Sequence, residues 1–433
     1  MPPLTTLAQW LHWLETAHGG KIDLGLERVG EVYKRLQLAP VAPMVISVAG
    51  TNGKGSTVAM LDAICRQAGY RTGCFTSPHL LRYNERFSLQ GQPASDEAVV
   101  AALNAVQKAR GDVSLSYFEF TTLAALWLFK KTQVEVAILE VGLGGRLDSV
   151  NVVDADCAVV TTVDIDHTQW LGHDREAVGR EKAGIFRPFT PAICGDLNSP
   201  LSVRRVACQK RARLFKRNVD FTVQRHEAGE RHVFDWLGWS RNLRALPMPA
   251  LAGDWQVDNA ATAIAALESV ADKLTISPED YAAGLRAVKL AGRLQLLQSA
   301  PEVLVDVAHN AQSANALAQW LQQNPVAGRT VALFGVLADK QAAEWLPQFR
   351  FLVDSWVATE PVSGRAVSVN ECQALIESAT GTTVKLAQAD PWQAYQQAIG
   401  ELQENDRLLI FGSFFVLDPI LRGYLRTKSL DSD

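Results

Sequence analysis

The sequence predicts an α/β protein. A doubly wound, mainly parallel sheet built around a P-loop fills the N-terminal part, and a smaller Rossmann-like α/β domain follows. Three observations carry this. Short apolar runs alternate with helical patterns. A glycine-rich turn with an embedded lysine joins one such run to one such helix. The alternation breaks near residue 290 and then restarts. Alternating strands and helices force parallel pairing, with helices on both faces of the sheet. At 433 residues the chain is also longer than one core usually serves. The expected domains are 1–289 and 290–433.

The elements follow in order. Residues 44–48 form a short apolar strand that runs into a turn with Gly50, Gly53 and Gly55. Lys54 lies in that turn, and a helical pattern follows from Thr57. Residues 72–75 read as a strand, 94–109 and 118–130 as helices. Residues 136–141 are a buried strand leading into the glycine-rich turn 142–146. Residues 157–163 are a further strand, ending in Asp164-Ile165-Asp166-His167, and 175–185 are helical. Residues 213–250, rich in Arg and Trp, suit a small antiparallel appendage. An Ala-rich helix covers 258–271. After the break come strand 303–306, helix 313–322, and strands 330–334, 356–359 and 408–411.

Composition narrows the function classes. The chain is 48% hydrophobic and 20% charged, with net charge −4, as in an ordinary globular protein. No basic run suggests nucleic acid or a membrane surface. No apolar run approaches the ~20 residues of a membrane span. The six cysteines are scattered without C-x-x-C, which suits a reducing cytoplasm.

The chemistry concentrates at predicted strand ends, where open α/β sheets bind ligands. The stretch Gly50-Thr51-Asn52-Gly53-Lys54-Gly55-Ser56 has backbone N–H groups able to curl around an anion, a helix N-terminus and a lysine. That suits the phosphates of a nucleoside triphosphate, although G-x-x-x-x-G-K-[ST] is not matched literally. Glu140 ends a strand, where a magnesium ligand or a water-activating base usually stands; the alternative is an ion pair with Arg146. His167 lies among acids at the next strand end and suits a metal site. Asp164 and Asp166 either join it or orient neighbours. Ser77, in Thr76-Ser77-Pro78-His79, by itself reads as a turn serine. Lys182 reads as a solvated or salt-bridged helix lysine. Arg293, at the expected hinge, is either a phosphate clamp or a surface charge. Asp306 heads Asp306-Val307-Ala308-His309-Asn310 and suits a ribose contact or the orientation of His309.

Taken together, several strings resemble one family. The loop is similar to the phosphate loop of the Mur ligase superfamily, whose central-domain type the predicted sheet would then be. Within that superfamily the chain resembles the folylpolyglutamate synthases. The matching strings are Ser77-Pro78-His79-Leu80, Asn84-Glu85-Arg86, Glu140-Val141-Gly142-Leu143-Gly144-Gly145-Arg146-Leu147-Asp148, Asp166-His167, Glu181-Lys182-Ala183-Gly184-Ile185, Gly292-Arg293, Asp306-Val307-Ala308-His309-Asn310 and Gly412-Ser413. Ser116-Tyr117-Phe118-Glu119-Phe120 further resembles bifunctional bacterial members, which also make dihydrofolate.

The resemblance implies an ATP-dependent amide ligase. It would add L-glutamate to 7,8-dihydropteroate, and further glutamates to reduced folates, through an acyl phosphate. It implies that Thr51, Asn52, Gly53, Lys54, Gly55 and Ser56 cradle ATP, with Asn259, Arg293 and Asp306 contacting the nucleotide. Ser77, Glu140 and His167 would hold one or two Mg2+ ions, joined by Lys182 as a carbamate. Lys54, Lys182, His167 and Glu140 would be catalytic. Pteroate contacts would come from Thr16, Ala17, His18 and Gly19, from Ser116, Tyr117, Phe118 and Glu119, and from Leu147, Asp148 and Ser149. The partners implied are small molecules, and the implied state is a monomer. One departure is visible: Trp255-Gln256 stands where family members often have His-Gln.

Two other readings compete. A cell-wall ligase of the same superfamily is disfavoured by the 143–148 and 116–120 strings. A non-ligase P-loop ATPase needs no second-domain cluster, and a GTPase should carry [NT]-K-x-D, of which only Asp339-Lys340 is present.

Overall fold

The structure, a computed structural model, describes residues 4–17, 23–229 and 231–430. His18 and Gly19, and the side chain of Ala17, lie outside the described residues. The chain forms two compact units, Met1–Ala250 with Gln256–Lys289, and Leu251–Trp255 with Leu290–Asp433.

The first unit is built on an eight-stranded sheet. Its strands are β1 (Met44–Ala49), β2 (Thr72–Phe75), β3 (Phe87–Leu89), β4 (Gln92–Pro93), β5 (Val136–Glu140), β6 (Cys157–Val160), β7 (Pro191–Cys194) and β8 (Arg213–Lys216). Their order is β4-β3-β2-β5-β1-β6-β7-β8. All pairings are parallel except those of β3 with β2 and β4. β1 is buried along its whole length, as a central strand covered on both faces must be. The chain winds outward from β1 in both directions, so the sheet's switch point lies at the carboxyl end of β1. A three-stranded antiparallel sheet follows, β9 (Phe221–Ala228), β10 (Arg231–Gly238) and β11 (Asn242–Pro247). The Arg- and Trp-rich region is therefore divided, its first strand joining the parallel sheet as β8.

The second unit has a six-stranded sheet of order β12-β13-β17-β14-β15-β16. The strands are β12 (Gln295–Ser299), β13 (Glu302–Val305), β14 (Thr330–Phe334), β15 (Ser355–Ala358), β16 (Val384–Ala387) and β17 (Arg407–Phe411). Only β12 runs antiparallel to its neighbour. Phe334, Phe349, Trp356 and Phe411 pack edge-on or tilted in its core, with centroids 5.0–6.4 Å apart. The α/β class with mainly parallel sheets is thus present in both units.

Two expected boundaries are corrected. Residues 157–163 read as one strand, but β6 stops at Val160. Beyond it the chain leaves the ladder. The Thr162 carbonyl accepts from Thr51 N–H (2.8 Å), and Val163 N–H donates to the Asp196 carboxylate (2.7 Å). The helix expected from Thr57 begins at Lys54, because Gly53 takes a left-handed conformation (φ 82°) that turns the chain straight into it. Several helices went unread, among them Leu201–Lys210, Pro278–Ala287, Val369–Thr380, Pro391–Gly400 and Phe414–Leu430. All six cysteines are unpaired. Among the described residues no helix is long and apolar enough to cross a membrane.

Helix Pro278–Ala287 packs on helix Lys54–Gln67, the helix into which the phosphate loop runs. A Cβ at Gly284 would lie 2.6 Å from Ile64 Cα and 2.8 Å from its N, so backbone must move to admit it. Gly284→Ala is expected to cost about 1–3 kcal/mol, seen as a lower urea midpoint at unchanged slope. Gly400→Ala, where the methyl meets nothing within 4 Å, should stay within about 0.5 kcal/mol.

Candidate active site at the carboxyl ends of the first sheet

The phosphate loop leaves β1 at Ala49 and is held from one side by the chain after β6. Thr51 Oγ1 both donates to the Asp164 carbonyl and accepts from its N–H, each at 2.9 Å. Asn52 N–H donates to Thr162 Oγ1 (3.0 Å), and Thr161 Oγ1 donates to the Asn52 carbonyl (2.6 Å). The polar groups of Thr51 and Asn52 thus shape the loop. The first intrahelical bond is Thr57 N–H to the Gly53 carbonyl (2.9 Å), so the N–H groups of Lys54, Gly55 and Ser56 are those a helix leaves to an outside acceptor. Lys54 Nζ bonds the Gly50 (2.9 Å) and Thr51 (3.1 Å) carbonyls, which folds its charge over the loop.

Asn259 meets this loop from helix Trp255–Glu268, which belongs to the first unit from Gln256 onward. Its Oδ1 fills the space a side chain at position 53 would need, 2.3 Å from an ideal Cβ. Only glycine therefore serves at 53, for its left-handed φ and for this contact. Asn259 Nδ2 donates to Gln256 Oε1 (2.9 Å). Trp255, at the departing position, packs instead against the core of the second unit, to which it belongs.

Glu140 ends β5 in register with Val48 of β1 and is only 4% exposed. Its Oε2 accepts the Ser77 N–H (3.2 Å), so the structure brings these two candidate metal ligands together. Arg146 does not pair with Glu140. It forms a two-pronged ion pair with Glu181 (3.0 and 3.1 Å). His167 follows in a left-handed conformation (φ 51°) that starts the short helix Thr168–Leu171. The carboxylates of Asp164 and Asp166 each accept the next residue's N–H, at 2.9 and 2.8 Å, which makes both loop-shaping groups.

Lys182 is not solvated. It lies on helix Arg175–Ala183 and is 4% exposed. Burial pushes its ammonium down to about 7; the charge of Lys54 pushes the same way, and Asp166 and Asp148 pull back. Asp148 is buried too, its carboxylate accepting Leu143 N–H (2.8 Å) and Val150 N–H (2.9 Å). Burial pushes it up to about 6, against those bonds and against Lys54. Lys54, Lys182, Asp148 and Asp166 thus share one electrostatic neighbourhood.

Among the described residues no three or more His, Cys, Asp or Glu side chains form a metal cluster. The implied donor set draws only Glu140 and His167 from those types. A buried carboxylate beside a serine at a strand tip is nonetheless hard-oxygen chemistry that fits a divalent cation such as magnesium.

The pteroate candidates divide. Ser116 and Glu119 form a reciprocal capping box on helix Tyr117–Lys131, and Arg28 binds the Glu119 carboxylate (3.1 Å). Phe118 lies against Gly142, where a Cβ would come within 2.5 Å of its ring. Ser149 Oγ shares a hydrogen bond with Thr122 Oγ1 (2.7 Å). Tyr117 takes the Arg86 guanidinium on its ring (5.7 Å). The 116–122 and 142–149 segments therefore come together. Leu147 accepts Gly25 N–H through its carbonyl (3.2 Å). Thr16 is exposed and bonds back to its own helix at His12 (2.9 Å).

In the second unit, the Arg293 guanidinium lies over the Phe414 ring (5.5 Å). Asp306 accepts Leu294 N–H (2.8 Å) and Ala308 N–H (2.7 Å), and burial raises its carboxyl against the charge of Arg293. Sequence reasoning missed Thr161, Thr162 and Asp196, which clamp the loops. Their signal was a pair of hydroxyls just past a strand and an acid after the next.

Residues 48–267 match the Mur ligase middle domain, and residues 292–414 the Mur ligase glutamate ligase domain. The dihydrofolate synthase/folylpolyglutamate synthase of Escherichia coli K12 is 42% identical over 415 residues, covering 96% of this chain and 94% of that protein. The structure of E. coli FolC in complex with DHPP and ADP superposes with a TM-score of 0.91 at 40% identity, over 98% of this chain and 99% of that one. The bifunctional folylpolyglutamate synthase/dihydrofolate synthase solved with Mn, AMPPNP and L-glutamate bound gives 0.89 at 39% identity, over 97% and 98%.

The shifted Lys182 has a measurable consequence. Its folded-state value of about 7 lies below the ordinary 10.5, so between these the unfolded chain binds a proton that the folded chain does not. Stability should rise with pH across that window. In CO2-free buffer, Lys182→Met is expected to lose this rise, so that its urea midpoint gains most over the parent near pH 7 and least near pH 10.

Proposed function

The chain belongs to the Mur ligase family, and on that premise we propose how its own residues carry out ATP-dependent ligation of L-glutamate to 7,8-dihydropteroate and to reduced folates. One observation carries the reading. A phosphate loop at the sheet's switch point holds its lysine within electrostatic reach of a buried second lysine and of two aspartates, one of them buried.

A carboxylate does not acylate an amine at neutral pH, because its carbon is a weak electrophile and oxide a poor leaving group. Transfer of the γ-phosphoryl group of ATP to the substrate carboxylate makes an acyl phosphate and leaves ADP. The glutamate amine then attacks the acyl carbon, loses a proton, and phosphate departs. The N–H groups of Lys54, Gly55 and Ser56 hold the phosphates, and Lys54 Nζ swings from the loop carbonyls to the developing charge. Asn259 and, from the second unit, Arg293 and Asp306 are proposed as nucleotide contacts. Ser77, Glu140 and His167 would hold a divalent ion, which supplies charge neutralisation to the triphosphate when bound. The 116–119 and 147–149 segments are proposed to bind the pteroate.

Lys182 fits a carbamate. An amine with a value near 7 is substantially neutral at physiological pH, so its nitrogen can bond the carbon of CO2 while a proton passes to water. The product is an anion beside Lys54, with the repulsion between the two ammoniums removed. A cytoplasmic, monomeric enzyme completes the proposal.

Three outcomes test it. ADP release should require both dihydropteroate and glutamate and should yield dihydrofolate; release independent of both rejects the ligase. Lys54→Ala should lose about 10²–10³-fold or more in turnover, the scale of losing one group that stabilises transition-state charge, with an unchanged circular dichroism spectrum. Lys182→Ala should be nearly inactive and partly restored by formate or acetate. Full activity without rescue removes Lys182 from the mechanism.

A further inference from the structure

Arg217 follows β8 directly, its N–H donating to the Cys194 carbonyl of β7 (2.9 Å). It therefore stands at the same carboxyl edge of the sheet that carries the phosphate loop. Its side chain is 4% exposed. A guanidinium is buried only where acceptors meet it, and here the acceptors come from two directions. Nη1 donates to Asn218 Oδ1 (3.0 Å), in the turn leading into β9, and to Thr222 Oγ1 (3.1 Å), in β9 itself. Nη2 donates to Asp258 Oδ1 (2.9 Å), in the first turn of helix Trp255–Glu268. Nε has no hydrogen-bond partner, so the side chain is placed by what its two Nη atoms reach.

The grip extends one turn further. Thr262, four residues after Asp258 and on the same face of the helix, sets its Oγ1 2.2 Å from where a Cβ at Gly195 would be. The ends of β7 and β8 thus fix the start of this helix at two points. The residue beside Asp258 is Asn259, whose Oδ1 occupies the space above Gly53 of the phosphate loop. We propose that Arg217 is a positioning residue for the nucleotide site: through Asp258 it fixes the helical turn that delivers the Asn259 amide to the phosphate loop. This rests on the reading of Asn259 as a nucleotide contact. A lysine cannot replace Arg217, because one ammonium does not span both acceptor groups in a fixed plane.

The test is a double-mutant cycle on ADP binding, read by calorimetry with Mg2+ present, on the full chain. Arg217→Met keeps the buried stem and removes the donors. It and Asn259→Ala are each expected to weaken ADP about tenfold, equivalent to about 1.4 kcal/mol. The double variant should be no weaker than Asn259→Ala alone, since Arg217 acts through Asn259. A role confined to stability lowers the melting temperature without producing this coupling. Asp258→Ala removes the acceptor of the same pair at a side chain already 34% exposed, and it carries the test should Arg217→Met not fold. Losses that add fully, or Arg217→Met and Asp258→Ala proteins that bind ADP like the parent while Asn259→Ala does not, overturn the inference and leave the Asn259 reading standing. Unchanged ADP affinity in Asn259→Ala overturns both.

Discussion

The burial of Lys182 within reach of the Lys54 charge governs this site. Lys54 has to be cationic to meet phosphate, and Lys182 is buried where that charge reaches it. Two ammoniums cannot share a poorly solvated region without compensation. The protein compensates with two carboxylates. Asp148 and Asp166 stand near enough to pull the Lys182 value upward, while burial and Lys54 push it down. The balance leaves Lys182 with little preference between charge states near neutrality. A residue in that condition suits chemical conversion to an anion, and no exposed helix lysine would share it.

The backbone around these charges is fixed by side chains as well as by backbone bonds. β6 ends early, and Thr161 and Thr162 bond to the phosphate loop instead. Asp196 takes the Val163 N–H, and Arg175 donates to the Val163 carbonyl (2.8 Å). Both backbone groups of one residue are thus held by one ion pair (3.3 Å). A loop fixed in this way keeps its shape before ligand arrives, which is the preorganisation that electrostatic stabilisation of a transition state requires. The loss of three strand residues is the structural counterpart of that rigidity.

Much of this could be read from the residues alone. The strand, glycines and lysine of 44–57 announce a phosphate loop because each has a local conformational reason to be there. Glu140 was legible as the last residue of an apolar run. Lys182 was not: its helix, Arg-Glu-Ala-Val-Gly-Arg-Glu-Lys-Ala, has the look of a solvated surface, and burial is decided by what packs on it. Only family resemblance singled it out. Arg217 was invisible for the same reason, since its partner Asp258 is 41 positions away. Some misses had local signals. Ser368 and Glu371 form a capping box before helix Val369–Thr380, and Asp390 with Pro391 opens helix Pro391–Gly400. These starts are written in the sequence, but the helices are short and lie between weakly patterned loops.

The two units use one device at their sheet edges. In the first, Asp148 is buried, accepts two backbone N–H groups from separate points of the chain, and feels Lys54. In the second, Asp306 is buried, accepts Leu294 and Ala308 N–H, and feels Arg293. In both, burial raises the carboxyl and a nearby cation works against it. An aspartate set this way has two effects. Its oxygens hold a loop at fixed geometry, and its charge gives the neighbouring cation a fixed counterion. Replacement by asparagine would preserve the size but exchange one acceptor for a donor facing an N–H. The requirement is therefore for a carboxylate at both positions, set by geometry as much as by charge.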